Sequence, residues 1–413
     1  MAARELVELD QARRIVVDAV AALPPTPFAL DAALGRVLRE DVSAEAPVPA
    51  FDNSAMDGFA VRSSDLTAAS AASPVSLTVV GESRAGRPSE VSLHDGETIS
   101  ISTGAMLPAG ADAVVKIEDA RTRDGVVEFI VAAIEGQDVR RAGGDVTPGQ
   151  RVLEDGIVVG PAELGVLASL GRAEALCSPR PRVSVVITGD ELMAPGERPR
   201  EGGVRDTSRH TIRALARSAG AEVGPAALVG DDLTAIMAAL AAARESANVV
   251  VISGGVSVGR HDHVRPALRA LGARESFWGV ALKPGRPTWF GTLDGTPVFG
   301  LPGNPVSAMV TFTLLVRPAL RALQGAAIDE RRWSAVLDRD YEKPPGRVHA
   351  VRCRLRAQDD GWHAQPTGEQ GSHILTSMLG ADALAIVPRN VTTVRAGERV
   401  AIEPLHGNVG APA

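Results

Sequence analysis

The longest β-branched apolar run in the chain, Val249-Val250-Val251-Ile252, stops at Ser253-Gly254-Gly255-Val256-Ser257-Val258-Gly259 and leads through Arg260-His261 to Asp262. A short β-branched run bounded by glycine reads as a strand buried on both faces. The loop it delivers is nearly bare backbone, whose N–H groups can approach an anion where no Cβ intervenes. A carboxylate beside a bound phosphate is a natural Mg²⁺ ligand. Strand and helix patterns alternate around this run from 182 to 325. Strands are predicted at 183–187, 226–229, 249–253 and 298–300. Helices are predicted near 208–219, 233–243 and 264–271, with a long one from Pro305 to Leu323. Such alternation implies right-handed crossovers and a doubly wound, mainly parallel sheet. Ligands in such sheets sit outside the carboxyl ends of the strands.

Elsewhere the periodicity changes. Ala12, Ile15, Val16, Ala19, Val20 and Leu23 keep helical spacing until Pro24-Pro25, and residues 28–41 are expected to add a second short helix. From 75 to 131 short alternating runs punctuated by Gly and Pro read as an inserted β domain. Pro161 opens a helix over 162–170. After about 331 the pattern returns to strands, at 348–355 and 383–387, expected to close a small barrel or sandwich. The fold class is therefore multidomain α/β plus β.

A chain of 413 residues predicts two to four domains. With 3% aromatics, their cores must be built from Ala, Val, Leu and Ile. The net charge is −7 with no basic cluster, so no nucleic-acid surface is expected, and an anionic substrate needs a local basic pocket. Cys177 and Cys353 are isolated and read as reduced structural thiols. No signal peptide is seen and no apolar run approaches the roughly 20 residues of a membrane span, so a soluble, cytoplasmic protein is expected.

Several strand ends carry candidate chemistry. Thr188-Gly189-Asp190-Glu191 is either an anion-binding turn with Glu191 on a cation or water, or a capped turn with solvated acids. Asp231-Asp232 is by itself more simply a helix cap. With Asp262, the acids stand at three strand ends of one sheet, which favours a shared cation. Lys283-Pro284-Gly285-Arg286 places two cations on a proline-stiffened loop, an oxyanion clamp. Gly303-Asn304-Pro305 opens a helix whose N-terminus can carry an anion. Neither a P-loop nor a dinucleotide fingerprint is present. Asp57-Gly58 and Thr103-Gly104 read as turns, and the eight histidines show no metal spacing.

These motifs, in this order, resemble the molybdopterin molybdenumtransferases, the molybdate-inserting enzymes of molybdenum cofactor synthesis, related to the C-terminal domain of gephyrin. The resemblance rests on Asp52 to Ala60, Thr103-Gly104, Arg140 to Asp145, Thr188 to Leu192, Ser253 to Gly259 with Asp262, Lys283-Pro284-Gly285, Leu301 to Pro305, and Thr367 to Ser372. It implies an elongated subunit that forms a homodimer, divided at 1–25 (helix on the α/β domain), 26–46 with 142–178 (linking and dimer domain), 47–141 (inserted β domain), 179–325 (molybdopterin-binding domain) and 330–408 (C-terminal β domain). It implies Mg²⁺-dependent reaction of molybdate with adenylylated molybdopterin, giving molybdenum cofactor and AMP. By position, Asp57, Thr103, Glu191, Asp231 and Lys283 are implied to be catalytic. Gly254, Gly255, Ser257, Arg286, Gly303, Asn304, Pro305, Arg352 and Ser372 are implied to bind substrate, and Asp262, Glu191 and Asp231 to hold the metal. Molybdopterin adenylyltransferase is an implied partner. Gly279 replaces a residue that is basic in some members, and Phe59 one that is tyrosine in many. Two other readings stand beside this one: a non-catalytic pterin-binding scaffold, and the adenylyltransferase itself, whose GGTG-type loop differs from Ser253-Gly254-Gly255-Val256-Ser257.

Overall fold

The computed structural model describes residues 5–257, 259, 262–327 and 333–405. Its central feature is a six-stranded sheet with strands in the order Glu222–Val229, Arg182–Thr188, Val249–Ser253, Thr296–Leu301, Trp289–Leu293 and Arg274–Trp278. The first four are mutually parallel, and Trp289–Leu293 runs against both of its neighbours. Arg274–Trp278 is therefore parallel to the rest, so the sheet is mainly parallel and the loop after Trp278 leaves at the same edge as the glycine loop.

Period-two alternation along the central strand shows why it must be apolar throughout. Val249 and Val251 enter one core with Ile212, Leu9 and the long C-terminal helix of this domain. Val250 and Ile252 enter the other with Ile236, Leu240, Val264 and Leu268. Both faces are covered by helices, as a parallel sheet requires.

The helix Pro305–Leu323 has the length and apolarity of a membrane span, contrary to the expectation that no run comes close; 72% of that stretch is buried inside the fold. A π turn, Phe312–Val316, interrupts it just before Pro318. Proline has no N–H to offer the carbonyl four residues back, at Leu314, and its ring crowds that carbonyl. The N-terminal helix, Leu9–Asp18, supplies the missing donor: Arg13 Nε reaches the Leu314 carbonyl at 3.0 Å.

Three β units surround this domain. The inserted sheet has six strands between Gly58 and Phe129. In the C-terminal unit, Val348–Gln358, Gly361–Pro366, Ser334–Leu337, Arg399–Pro404 and Ala383–Val387 close into a five-stranded barrel, because the first also pairs with the last. The third unit is the linking region. There Thr26–Ala29 pairs with Glu174–Cys177 around Ala33, Leu38, Leu167 and Cys177. The helix expected at 28–41 is reduced to Leu30–Ala33. Gly35, at φ +72°, leaves helical space, and Val37 and Leu38 then form β bridges to Val158 and Cys177.

Candidate active site

The loops that carry the expected chemistry meet at the carboxyl edge of the six-stranded sheet. Gly254 stands at φ +100°, and a Cβ there would lie 2.3 Å from the Thr188 carbonyl oxygen. Gly255, at φ +59°, would bring its Cβ within 3.2 Å of the Thr188 hydroxyl. That hydroxyl is buried and, among the described residues, has no partner. The glycine loop thus rests on the end of the neighbouring strand. On its other side, Ser253 Oγ donates to the Pro302 carbonyl at 3.0 Å, and a Cβ on Gly303 would stand 3.6 Å from Gly254 Cα. Two glycine turns, 254–255 and 303, are therefore packed backbone to backbone. Ser257, Gly303 and Asn304 are exposed above them. Val258, Arg260 and His261 lie outside the described residues.

The buttress under the loop escapes sequence reasoning. Trp278 Nε1 donates to the Val256 carbonyl at 2.9 Å, and the Arg265 guanidinium lies over the Trp278 ring at 4.2 Å. Arg265 also pairs with Glu275, which accepts from Trp289 Nε1 at 2.8 Å. The scarcity of tryptophan in this chain was the only available signal, since nothing in the spacing joins 278 to 256.

The acids divide into separate roles. Asp232 Oδ1 accepts from the Ala235 backbone at 2.8 Å and caps the helix Leu233–Ser246, as the simpler reading held. Asp231 and Asp190 exchange backbone-to-carboxylate bonds at 3.3 and 3.0 Å, which ties two strand ends together. Arg200 donates to the Asp190 carbonyl. Glu191 is exposed on this turn. Asp262 Oδ2 accepts from Gly259 N at 2.6 Å and is partly exposed. Among the described residues, no three aspartate, glutamate, histidine or cysteine side chains are grouped to hold a metal ion. The expected trio of Asp262, Glu191 and Asp231 is thus not a preformed cage.

The basic side of the edge lies against the C-terminal barrel. Lys283 and Arg286 are exposed and, among the described residues, make no ion pair. The short strand Leu282–Lys283 joins the barrel sheet, with Lys283 opposite His349. Burial first, then the charges of Lys283, Lys343 and Arg347, push the His349 imidazole down to about 4. Its Nδ1 meets the Tyr341 hydroxyl at 3.0 Å, and its Nε2 is buried without a partner among the described residues. Asn304 Nδ2 donates to Ser372 Oγ at 3.2 Å, so the helix-opening turn and the barrel loop touch across 68 residues of sequence. Pro305 starts the helix beneath them.

Arg352 departs from expectation. It is wholly buried. Its guanidinium donates to the carbonyls of Glu369, Gln370 and Gly371 and to Ser377 Oγ, at 3.1 to 3.3 Å. It presents no free face to an anion; it organises from behind the loop that carries Ser372. A buried cation is tolerated here because carbonyl dipoles surround it.

Asp57 and Thr103 form their own pair: Asp57 Oδ1 accepts from Thr103 N at 2.8 Å, on an exposed face of the inserted β domain. Among the described residues, no hydrogen bond joins either to the α/β domain. Gly279 stands at φ +93° with Leu6 in the space a Cβ would need, at 2.8 Å. A basic side chain there would be strained, and the N-terminal segment occupies its place. Phe59 packs edge-on against Phe129 in the inserted-domain core, 5.8 Å between centroids.

Comparison with known proteins agrees with this architecture. Residues 7–171 match the family described as the MoeA N-terminal region (domain I and II), 184–322 the probable molybdopterin binding domain, and 334–405 the MoeA C-terminal region (domain IV). The chain is 37% identical over 414 residues to the molybdopterin molybdenumtransferase of Haemophilus influenzae, covering 98% of this chain and all of that one. It is also 37% identical to molybdopterin molybdenumtransferase 2 of Mycobacterium tuberculosis, covering 94% and 97%. Among solved structures, the molybdopterin biosynthesis moeA protein of Pyrococcus horikoshii OT3 superposes with a TM-score of 0.82 at 30% identity, covering 96% of this chain and 99% of that one. The chain belongs to the molybdopterin molybdenumtransferases, transferases of molybdenum cofactor biosynthesis.

Proposed function

We infer that the chain inserts molybdenum from molybdate into adenylylated molybdopterin and releases AMP, as a Mg²⁺-dependent, cytoplasmic homodimer. The observation that carries this reading is the shared edge of the sheet. A backbone cradle at 254–255 and 303, an acidic flank and two cations without an ion pair among the described residues all lie there. A phosphoanhydride needs donors on its oxygens, and molybdate, a tetrahedral dianion, needs positive charge beside it.

The cradle binds the pterin phosphate and the AMP moiety through backbone N–H groups and Asn304. Lys283, Arg286 and Ser372 gather molybdate against the adenylyl phosphorus. A molybdate oxygen attacks that phosphorus and the bond to the pterin phosphate breaks. AMP leaves as the dithiolene sulfurs take the metal. Asp262, with Glu191 or Asp231, would hold Mg²⁺. The set is made of hard oxygens, as Mg²⁺ prefers, and the ion commonly takes only one or two carboxylates together with substrate phosphates. Bound there it would neutralise charge developing on phosphoryl oxygens. The exposed pair Asp57–Thr103 makes no hydrogen bond to its own α/β domain among the described residues, which suits completion of the partner subunit's site. Molybdopterin adenylyltransferase would supply the substrate.

The test is to incubate purified protein with adenylylated molybdopterin, Mg²⁺ and molybdate, following AMP and reconstitution of an apo-molybdoenzyme. Equal amounts of AMP and active cofactor are expected. Pterin binding with no AMP would make the protein a scaffold, and adenylylation of free molybdopterin by ATP would make it the adenylyltransferase.

A further inference from the structure

We propose that the cleft between the linking region and the amino ends of the sheet strands is a second binding site, for a small phosphate-bearing anion. The cleft has a volume of about 360 Å³ and is lined by Phe28, Arg36, Arg180, Arg182, Glu222 and Asn248, among others. Ligand pockets run from roughly 300 Å³ upward, so this one admits a small molecule. It lies at the opposite edge of the sheet from the glycine loop, since Arg182 and Glu222 are the first residues of their strands and stand in register.

Three guanidinium groups line the cleft against a single carboxylate. Arg36 lies over the Phe28 ring at 3.8 Å. Among the described residues, the terminal nitrogens of Arg36, Arg180 and Arg182 have no hydrogen-bond or ion-pair partner, although Arg36 Nε donates to Ala32 O and Arg182 Nε to Ser246 O. Burial, and then the charge of Arg180, loosen the proton on Arg36, while Glu222 opposes them. Like charges gathered without pairing cost free energy that a bound anion returns.

Two of the three donors, Arg36 and Arg182, are also held in place. Arg182 and Asn248 exchange two bonds of 2.8 Å, Asn248 Oδ1 accepting from Arg182 N and Arg182 O from Asn248 N. Each Nε bond fixes the plane of its guanidinium, leaving the outer nitrogens as a preformed fork that suits phosphate. The concave shape and the modest excess of charge favour a small molecule over a nucleic acid. Arg36 belongs to the linking region and Arg182 to the α/β sheet, so the ligand would clamp the two together.

Calorimetric titration of the full chain with inorganic pyrophosphate, and separately with AMP, tests this. Two classes of site are expected. Lys283→Ala with Arg286→Ala removes one class. Arg36→Ala with Arg180→Ala weakens the other roughly 10- to 100-fold while the first is retained. Glu222→Gln tightens the second class, a gain that misfolding cannot mimic. Tighter binding of AMP than of pyrophosphate would assign a nucleotide, and equal binding the phosphate alone. A single class abolished by the Lys283 and Arg286 changes, or no response to Glu222→Gln, overturns the proposal.

Discussion

The two walls of the carboxyl edge are built from different materials. The glycine wall is backbone, fixed at Gly254 and Gly255 by neighbours that crowd any Cβ and held from behind by Trp278. The wall against the barrel is side chain, with Lys283 and Arg286 exposed and without an ion pair among the described residues, Asn304 joined to Ser372, and Arg352 buried behind them. On the proposed function the first would recognise an anion by shape and N–H direction, and Gly254 leaves no space for a larger residue. On the same reading the second would recognise by charge, and its exposed members should change without unfolding the domain.

If that contrast is right, Gly254→Ala has the largest effect. Its Cβ meets the Thr188 carbonyl, the loop must move, and kcat/KM falls roughly 100-fold or more, as displacements of about an ångström do. Near-wild-type turnover would break the comparison. Arg352→Met should come next, but in stability: three carbonyls lose a charged donor, and denaturant unfolding should show a loss of about 3 kcal/mol. Lys283→Ala should leave the denaturation midpoint alone and weaken molybdate binding roughly tenfold, more at low salt than at high. A stability loss like that of Arg352→Met would erase the distinction between the two cations. Trp278→Phe removes one hydrogen bond worth about 1 kcal/mol and should raise KM for the pterin substrate more than it lowers kcat.

One further effect is on pH dependence. The native His349 titrates near 4, below its unfolded value, so the unfolded chain binds the extra proton between the two. Stability is full above about 6.5 and falls toward pH 4 by at most about 1.4 kcal/mol per unit. His349→Gln should flatten that slope in urea melts at successive pH values.

Some of this was readable from the sequence for clear physical reasons. Four consecutive β-branched residues must be buried on both faces, so the strand Val249–Ser253 and its glycine loop declared themselves. Pro305 announced the start of its helix. Other features depend on tertiary partners. The strands Arg274–Trp278 and Trp289–Leu293, which widen the sheet, have no alternation that separates them from loop. The short helix expected at 28–41 failed because its apolar spacing is also served by bridges to residues 158 and 177. Family position marked Arg352 as a contact, but only packing shows that the loop 369–371 absorbs its charge. Acids spaced at three strand ends suggested a shared cation; the fold spends Asp232 on a cap and Asp190 with Asp231 on a tether.

The most direct test of the whole account is AMP release from adenylylated molybdopterin by Asp262→Ala, with Mg²⁺ and molybdate present and pterin binding measured in parallel. The account predicts that the variant still binds the pterin and releases almost no AMP. AMP release at the wild-type rate would contradict it.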